Sequence, residues 1–407
     1  MKHNLFRALI LTPLFCFAIS LCFPRTLASH ERTKTRKSSW SLPQQSNENN
    51  QKKKGVEENR GSNPGQDGKG RVANSEANTI RIDTNLVVFD ALVLAPGGNP
   101  VSGLKQEDFE VFEDGRPQEI GTFAEDDGAT VPRSIILIID YSPSQFAYVK
   151  DSIEAAKVLV DKLKPKDRMA VVTDDVAVLV PFTQDKALLK EGLDSLKRKV
   201  TRHIGGKSMQ LSALLAILQD FEGREGRPII VLQSDGDEVY KLKGIADESV
   251  PEEERRNFGL EEIYHTVEQR QATVYTIIPG PRLLGLSIEE QMKNLRAIVR
   301  LEYPLRKPSP GDYERILAYR LREHKMLTGI STLSGGWTTY LEKPSYATDI
   351  YTQLFTSFGQ RYILGYYPAN DMHSGKRRAV EIKVRDHPEY QILRRKAYYD
   401  LERPNPR

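Results

Sequence analysis

The sequence predicts a doubly wound α/β fold with a mainly parallel, Rossmann-like sheet and a small β-sandwich-like accessory domain built from both flanks. The first observation is that the aliphatic runs Ile135 to Ile139 and Ile229 to Leu232 have no polar interruption, which is typical of strands buried on both faces. The second is that strands alternate with helical-period segments from Arg133 onwards. The third is that a strand-rich segment lies on each side of this core. Because each segment is too small to bury a core of its own, we expect the two to share one domain.

The first 78 residues are predicted to lie outside these domains. Residues 1–28 combine a basic start, an apolar run from Ala8 to Phe23 and small residues near Ala28, which predicts a signal peptide. The run is short and is soon followed by polar sequence, which favours a cleaved signal peptide over an uncleaved membrane anchor, so no stable span is expected after cleavage. Residues 29–78 are polar and almost free of aliphatic side chains, which predicts a disordered linker. We therefore expect a secreted or periplasmic protein.

Composition excludes several classes of function. Among 407 residues the net charge is only +4, and no Lys/Arg block is interleaved with aromatic residues as a nucleic-acid surface requires. Both cysteines, Cys16 and Cys22, lie in the predicted signal peptide. The mature chain would then have no disulfide, no thiolate zinc site and no cysteine nucleophile.

The accessory halves are predicted at residues 79–128 and 360–400. In the first half, a strand from Leu86 to Leu94 precedes a hairpin that turns at Asp114 and Gly115. Three strands are predicted in the second half, at Tyr362 to Pro368, Val380 to Val384 and Tyr390 to Tyr399.

The α/β domain is predicted over residues 131–358. Its strands are predicted at residues 135–139, 169–173, 176–180, 229–232 and 273–278, and a further strand is predicted to end at Leu341. Its helices are predicted near residues 153–163, 188–196, 211–217, 263–267 and 351–358. Residues 280–328 interrupt this alternation with four prolines and two helical stretches, near 288–299 and 313–326, which predicts a helical insertion packed on the sheet domain.

Carboxylates and hydroxyls occur where the buried strands end. Asp140, Ser142 and Ser144 follow the first strand, Asp235 follows the strand ending at Leu232, and Ser208 opens a helix. Because the carboxyl ends of parallel strands meet at one edge, we expect these five side chains to lie together, with Asp140 at a solvent-facing strand end. All are hard oxygen donors, which suit Mg²⁺, Mn²⁺ or Ca²⁺ better than zinc.

The Asp-x-Ser-x-Ser pattern of residues 140–144 resembles the metal-ion-dependent adhesion site of von Willebrand factor type A domains. Gly205–Ser208 and Gln233–Asp237 match later pieces of that site in the expected order. Asp108–Gly115 and Tyr362–Pro368 resemble the flanking signatures of a family of exported bacterial proteins with a type A-related domain.

The resemblance implies roles for the five residues. Ser142 and Ser144 would bind the metal directly, Asp140 and Asp235 mostly through waters, and Ser208 would take the position usually held by threonine. A shell rich in hydroxyls would leave the cation attractive to an acidic side chain of a partner protein. Lys207 would place a positive charge near the metal. Asp237 and Glu238 either offset that charge or are solvated loop residues, and the second interpretation is favoured.

The resemblance and the motif together predict an exported, non-enzymatic module for cation-dependent protein–protein interaction or adhesion in the bacterial envelope. One alternative is a metal-dependent hydrolase using the same cleft. His203 is the only nearby histidine, however, and neither His-Glu-x-x-His nor Gly-x-Ser-x-Gly occurs. The other alternative is a structural envelope protein whose metal site is vestigial.

Overall fold

The structure is a computed structural model, and the residues it describes are 86–126, 131–220, 226–302, 308–369 and 375–400. The predicted signal peptide and polar linker lie outside these ranges. Among the described residues, none of the helices has the length and apolar character needed to cross a membrane.

The strands of the described residues are numbered along the chain. They are β1 (Val87–Leu94), β2 (Phe109–Glu113), β3 (Arg116–Gln118), β4 (Ile120–Asp126), β5 (Arg133–Ile139), β6 (Arg168–Thr173), β7 (Ala177–Thr183), β8 (Arg227–Gln233), β9 (Thr273–Pro279), β10 (Thr338–Leu341), β11 (Arg361–Tyr366), β12 (Arg377–Val384), β13 (Gln391–Leu393) and β14 (Ala397–Tyr399). The α-helices are α1 (Val149–Lys162), α2 (Lys186–Thr201), α3 (Gln210–Asp220), α4 (Leu260–Gln269), α5 (Ile288–Glu302), α6 (Pro310–Leu333) and α7 (Ala347–Phe358).

The central sheet has six strands in the order β10-β9-β8-β5-β6-β7. All neighbouring strands are parallel except β6 and β7. The chain runs from β5 outward to β6 and β7 and then returns to β8 on the other side of β5. This reversal makes a switch point between the carboxyl ends of β5 and β8, where open α/β sheets bind ligands.

Helices cover both faces of this sheet, as predicted. Strand β5 is buried along its whole length. Ile135, Leu137 and Ile139 pack with α1, α2 and α7, whereas Ile136 and Ile138 pack with α3, α4 and α6. Each such side chain contributes about 1.5–3 kcal/mol by leaving water, which explains why the run has no polar residue. The predicted doubly wound α/β class is confirmed.

Helix α6 extends beyond the predicted insertion. It begins after Ser309, whose hydroxyl accepts a hydrogen bond from the Asp312 N–H, and it has Pro310 at its first position. It continues to Leu333, and Met326, Leu327 and Ile330 belong to the apolar cluster on the sheet. The second half of α6 is therefore a core helix of the α/β domain. Its first half packs with α5 in a separate small cluster.

The accessory domain is a sandwich of two four-stranded sheets, ordered β13-β1-β11-β4 and β14-β12-β2-β3. Each sheet combines strands from both flanks, and Phe89, Phe109, Tyr362 and Ile382 lie in their shared apolar core. This confirms the predicted sandwich built from both ends of the chain.

The segment from Tyr390 to Tyr399 differs from the prediction of one strand. It forms two short strands in different sheets: β13 pairs with β1, and β14 pairs with β12. Between them Arg395 is buried and bridges to Ser334 of the α/β domain. The chain crosses from one sheet of the sandwich to the other here, and a single strand cannot do so without breaking.

A buried ionic cluster joins the sandwich to the α/β domain. Arg361 of β11 is fully buried; its Nε lies 2.9 Å from Asp90 Oδ2, and its Nη1 donates to the Tyr275 hydroxyl of β9 at 3.0 Å. Arg227 of β8 lies 3.2 Å from the same Asp90 oxygen. Burial alone would raise the pKa of Asp90, but Arg361, Arg227 and Arg395 outweigh it and hold this pKa below its usual 3.8.

Candidate metal centre

Asp140 directly follows β5 and is completely buried. Its Oδ1 accepts a hydrogen bond from the Ser142 N–H at 3.0 Å, and its Oδ2 accepts one from the Ser234 hydroxyl at 2.8 Å. The prediction of a solvent-facing position was wrong, because the loops after β5 and β8 close over the carboxylate. Asp140 therefore organises both loops.

Ser142 and Ser144 lie beside each other on a short 3₁₀ turn that starts at Pro143. Their hydroxyl oxygens are 3.2 Å apart. Ser142 is fully buried, whereas Ser144 is half-buried and also accepts a hydrogen bond from the Gln145 amide at 3.3 Å. The turn thus presents two neighbouring hydroxyl oxygens next to Asp140.

The loop before α3 is held by Asp174, which follows β6. The Asp174 carboxylate accepts hydrogen bonds from the N–H groups of Tyr141 and Ser208, at 3.1 and 2.8 Å. It approaches Gly206 so closely that a Cβ there would lie 2.0 Å from Oδ1, which excludes any side chain. Ser208 has a φ of +51°, and its hydroxyl interacts with the Asp237 carboxylate. This interaction links Ser208 to the centre through Asp237.

Asp235 and Asp237 are separated by Gly236, which has a φ of +84°. Carboxylate oxygens of Asp140, Asp235 and Asp237 all lie within 4.8 Å of one another. Asp237 is half-buried and accepts a hydrogen bond from the Gln210 amide at 2.9 Å. The interpretation of Asp237 as a solvated loop residue was therefore wrong.

Glu238 was also wrongly interpreted as solvated. It is completely buried and accepts hydrogen bonds from the Leu211 and Ser212 N–H groups at 2.6 and 3.0 Å. These are unpaired donors in the first turn of α3, so the carboxylate caps that helix. Arg256 forms an ion pair with Glu238 at 2.6 Å. Glu238 thus fixes α3, and with it the Ser208 loop, against the loop after β8.

Crowded, buried carboxylates raise one another's pKa values. Burial, followed by repulsion from Asp235, Asp174 and Asp237, raises the pKa of Asp140 well above 3.8. Burial raises the pKa of Asp174 to about 6, and burial with repulsion from Asp235 raises the pKa of Asp237 to about 7. The ionised forms of these groups thus need a positive charge nearby.

One positive charge comes from Arg320 of α6. Its Nη1 lies 3.2 Å from Asp235 Oδ2, and its guanidinium donates hydrogen bonds to Glu323 at 3.0 Å and to Glu302 at 2.6 Å. Although Arg320 opposes the effect, burial raises the pKa of Glu302 to about 7 and that of Glu323 to about 8. The centre therefore continues into a second carboxylate group around Arg320.

The oxygen set fits one divalent cation. Metal–oxygen distances of roughly 2.0–2.1 Å for Mg²⁺ and 2.3–2.6 Å for Ca²⁺ place opposite ligands roughly 4–5 Å apart. The three carboxylates meet this limit with oxygens within 4.8 Å. Asp235 Oδ2 is buried and accepts no hydrogen bond within the described residues. Since no nitrogen or sulfur donor belongs to this group of residues, the donor chemistry suits Mg²⁺, Mn²⁺ or Ca²⁺.

A cleft of about 650 Å³ opens beside this centre. Ser144, Asp235 and Asp237 line one part of it, and α6 lines another. The rings of Tyr240 and Tyr319 meet edge to face in its wall, with centroids 4.8 Å apart. The half-buried serine hydroxyl and the carboxylates thus border a space that a partner could enter.

The structure brings four of the five predicted residues to the switch point and links Ser208 to it through Asp237. Sequence reasoning missed Asp174, although Asp174 directly follows a predicted strand, as Asp140 does. It also missed Arg320, together with the two glutamates. No local signal marks Arg320, because α6 reaches the centre only through tertiary packing.

No protein-family model matches the chain, and no curated protein matches it. Among solved structures, the chain is similar to the conserved hypothetical protein BatB from Bacteroides thetaiotaomicron, with 15% identity, 56% of this chain and 98% of that chain covered, and a TM-score of 0.32. It is similar to the vWF domain of the type V pili tip protein Mfa5 from Porphyromonas gingivalis, with 12% identity, coverage of 56% and 95%, and a TM-score of 0.33. It is also similar to a von Willebrand factor type A protein from Catenulispora acidiphila, with 13% identity, coverage of 78% and 73%, and a TM-score of 0.35.

The central sheet, its switch point and the Asp-x-Ser-x-Ser loop at its carboxyl edge define a von Willebrand factor type A-related fold.

Proposed function

We propose that this chain is an exported binding module that engages a partner protein through a divalent cation, without turnover. Asp140, Ser142, Ser144, Ser208 and Asp235 would hold Mg²⁺, Mn²⁺ or Ca²⁺, with Asp237 as an additional carboxylate. The observation that carries the proposal is the convergence of three carboxylates, with oxygens within 4.8 Å, beside two serine hydroxyls at the switch point of the sheet.

The partner would offer an acidic side chain to the bound cation. The half-buried Ser144 and the adjoining cleft leave room for such a group. The signal peptide predicted from the sequence supports export, and we propose the bacterial envelope or the extracellular space as the site of action.

Isothermal titration calorimetry of the mature chain with MgCl₂, MnCl₂ and CaCl₂ tests the cation. Saturable heat with one site per chain is expected, together with thermal stabilisation that EDTA reverses. The absence of both at millimolar concentrations would show that the centre is vestigial. A pull-down from envelope extract with and without chelator then searches for the partner.

One observation favours the alternative of a hydrolase. Glu323 lines the same cleft, and its pKa is raised to about 8, as a general acid or base requires. However, the Glu323 carboxylate is buried and already accepts a hydrogen bond from Arg320. A panel of ester, phosphoester and peptide substrates separates the two functions: turnover that Glu323→Gln abolishes would replace the binding proposal.

A further inference from the structure

Packing between α6 and the loop after β8 sets the position of Arg320. The Tyr240 hydroxyl donates to the Tyr319 carbonyl oxygen at 2.8 Å. At Gly236, an added Cβ would lie 3.0 Å from the Met326 side chain, so helix and loop are in close contact. Arg320 is buried and lies in α6 between Tyr319 and Met326, the two residues that make these contacts, so it is held beside Asp235.

Arg320 has two kinds of contact. Its guanidinium donates hydrogen bonds to Glu302 and Glu323, at 2.6 and 3.0 Å. It also lies 3.2 Å from Asp235 Oδ2, yet that oxygen accepts no hydrogen bond within the described residues. The two glutamates thus orient the guanidinium, whose charge acts on Asp235 through space. The lone pairs of Asp235 Oδ2 stay available for a cation.

We infer that Arg320 is a built-in counter-charge that sets the cation affinity of the centre and makes it able to accept an acidic ligand. This inference rests on the proposed function. Leaving aside Glu302 and Glu323, the three ionised aspartates and the Arg320 guanidinium have a formal charge of −2, which a divalent cation neutralises. Without Arg320 the cation-loaded centre would keep a net negative charge, bind cations more tightly and repel an acidic partner.

The sharpest test compares two variants that differ only at Arg320. Arg320→Met alone would leave two buried glutamates without their cation, which can prevent folding. We therefore compare Glu302→Gln/Glu323→Gln with Glu302→Gln/Glu323→Gln/Arg320→Met. Calorimetry with MgCl₂ and MnCl₂ measures the affinity of both, and thermal unfolding in EDTA shows that both fold. Arg320→Lys, which keeps the charge, serves as the conservative control.

A single charge as close as Arg320 is to Asp235, at 3.2 Å, changes the equilibrium constant for binding an ion by roughly one to three powers of ten. The triple variant should therefore bind Mg²⁺ at least about tenfold more tightly than the double variant. Arg320→Lys should stay within about threefold of wild type. Equal or weaker binding by the triple variant would overturn the inference, and cation binding by wild type would leave the proposed function standing.

The counter-charge role of Arg320 and the proposed cation-dependent function can fail separately. If wild type gives no heat but the triple variant binds, the counter-charge role holds and cation-dependent function of the wild-type chain fails. If no variant binds either ion, both claims fail.

Discussion

Replacing Asp140 with asparagine tests the role of the carboxylate while keeping its hydrogen bonds. The amide oxygen can accept from the Ser142 N–H, and the amide nitrogen can donate to the Ser234 hydroxyl oxygen, which otherwise accepts only from the Gly236 N–H; the bond to Ser234 then runs in the reverse direction. The substitution removes one of three crowded negative charges. Without cations, Asp140→Asn should therefore be at least as stable as wild type. Asp140→Ala is a poorer test, because it removes the acceptor of both the Ser142 N–H and the Ser234 hydroxyl and offers neither a new hydrogen bond.

The expected loss can be estimated from mass action. If the dissociation constant for Mg²⁺ is on the order of 0.1 mM, 10 mM Mg²⁺ stabilises the wild-type chain by about 2.7 kcal/mol. At the low end of about 2–4 °C per kcal/mol for large domains, the unfolding temperature rises by roughly 5 °C. Asp140→Asn should lose nearly all of this shift, because the cation loses a charged ligand of the cluster.

Circular dichroism melts in EDTA and in 10 mM MgCl₂ or MnCl₂ measure this difference. Asp161→Asn is the matched control: Asp161 is exposed in the last turn of α1, roughly 18 Å along the helix from its first residue. It should keep the full cation-dependent shift. A wild-type-sized shift in Asp140→Asn would refute the reasoning.

Four further predictions concern the Ser208 loop and the accessory domain. Ser208→Thr should weaken cation binding, as measured by calorimetry, because a β-branched residue is strained at a φ of +51°. Lys207→Ala should tighten binding only slightly, by less than about 1 kcal/mol, because Lys207 is exposed; high salt should erase the difference. Asp90→Asn should lower the free energy of unfolding by about 3–5 kcal/mol. Since the pKa of Asp90 is lower in the folded state, the contribution of Asp90 to the free energy of unfolding is present above pH 3.8 and is lost as the pH falls below that value. Urea melts at a series of pH values should show this loss in wild type but not in the variant. Deleting Arg361–Arg407 removes β11 from between β1 and β4 and should expose residues 86–123 to protease while the α/β domain stays folded; continued protection would contradict the split domain.

Much of the fold could be predicted because its signals are local. Five consecutive aliphatic residues predicted β5, and strict alternation from Val380 to Val384 predicted β12. Both patterns depend on how many faces of a strand are buried, and this number sets the order of apolar and polar residues along the strand. The split of the segment after Tyr390 carried no such signal, because it depends on two sheets facing each other.

The candidate centre was predicted in part for the same reason. Asp140, Ser142, Ser144 and Asp235 stand where local strand signals end, so parallel-sheet topology alone predicts that they meet. Asp237 and Glu238 were misinterpreted because polarity along the chain predicts solvent. In the structure, the amino end of α3 and the packing of α6 bury them instead.

The sequence by itself determined the buried strands of the central sheet, the doubly wound class and the oxygen-bearing side chains at the switch point, because hydrophobic periodicity and strand ends are properties of neighbouring residues. Only the tertiary structure decided the charge of the centre. Arg320 lies 85 residues after Asp235 in the chain, and packing of α6 across the loop after β8 brings the two to within 3.2 Å. Electrostatic energy depends on distance through space, which separation along the chain does not reveal.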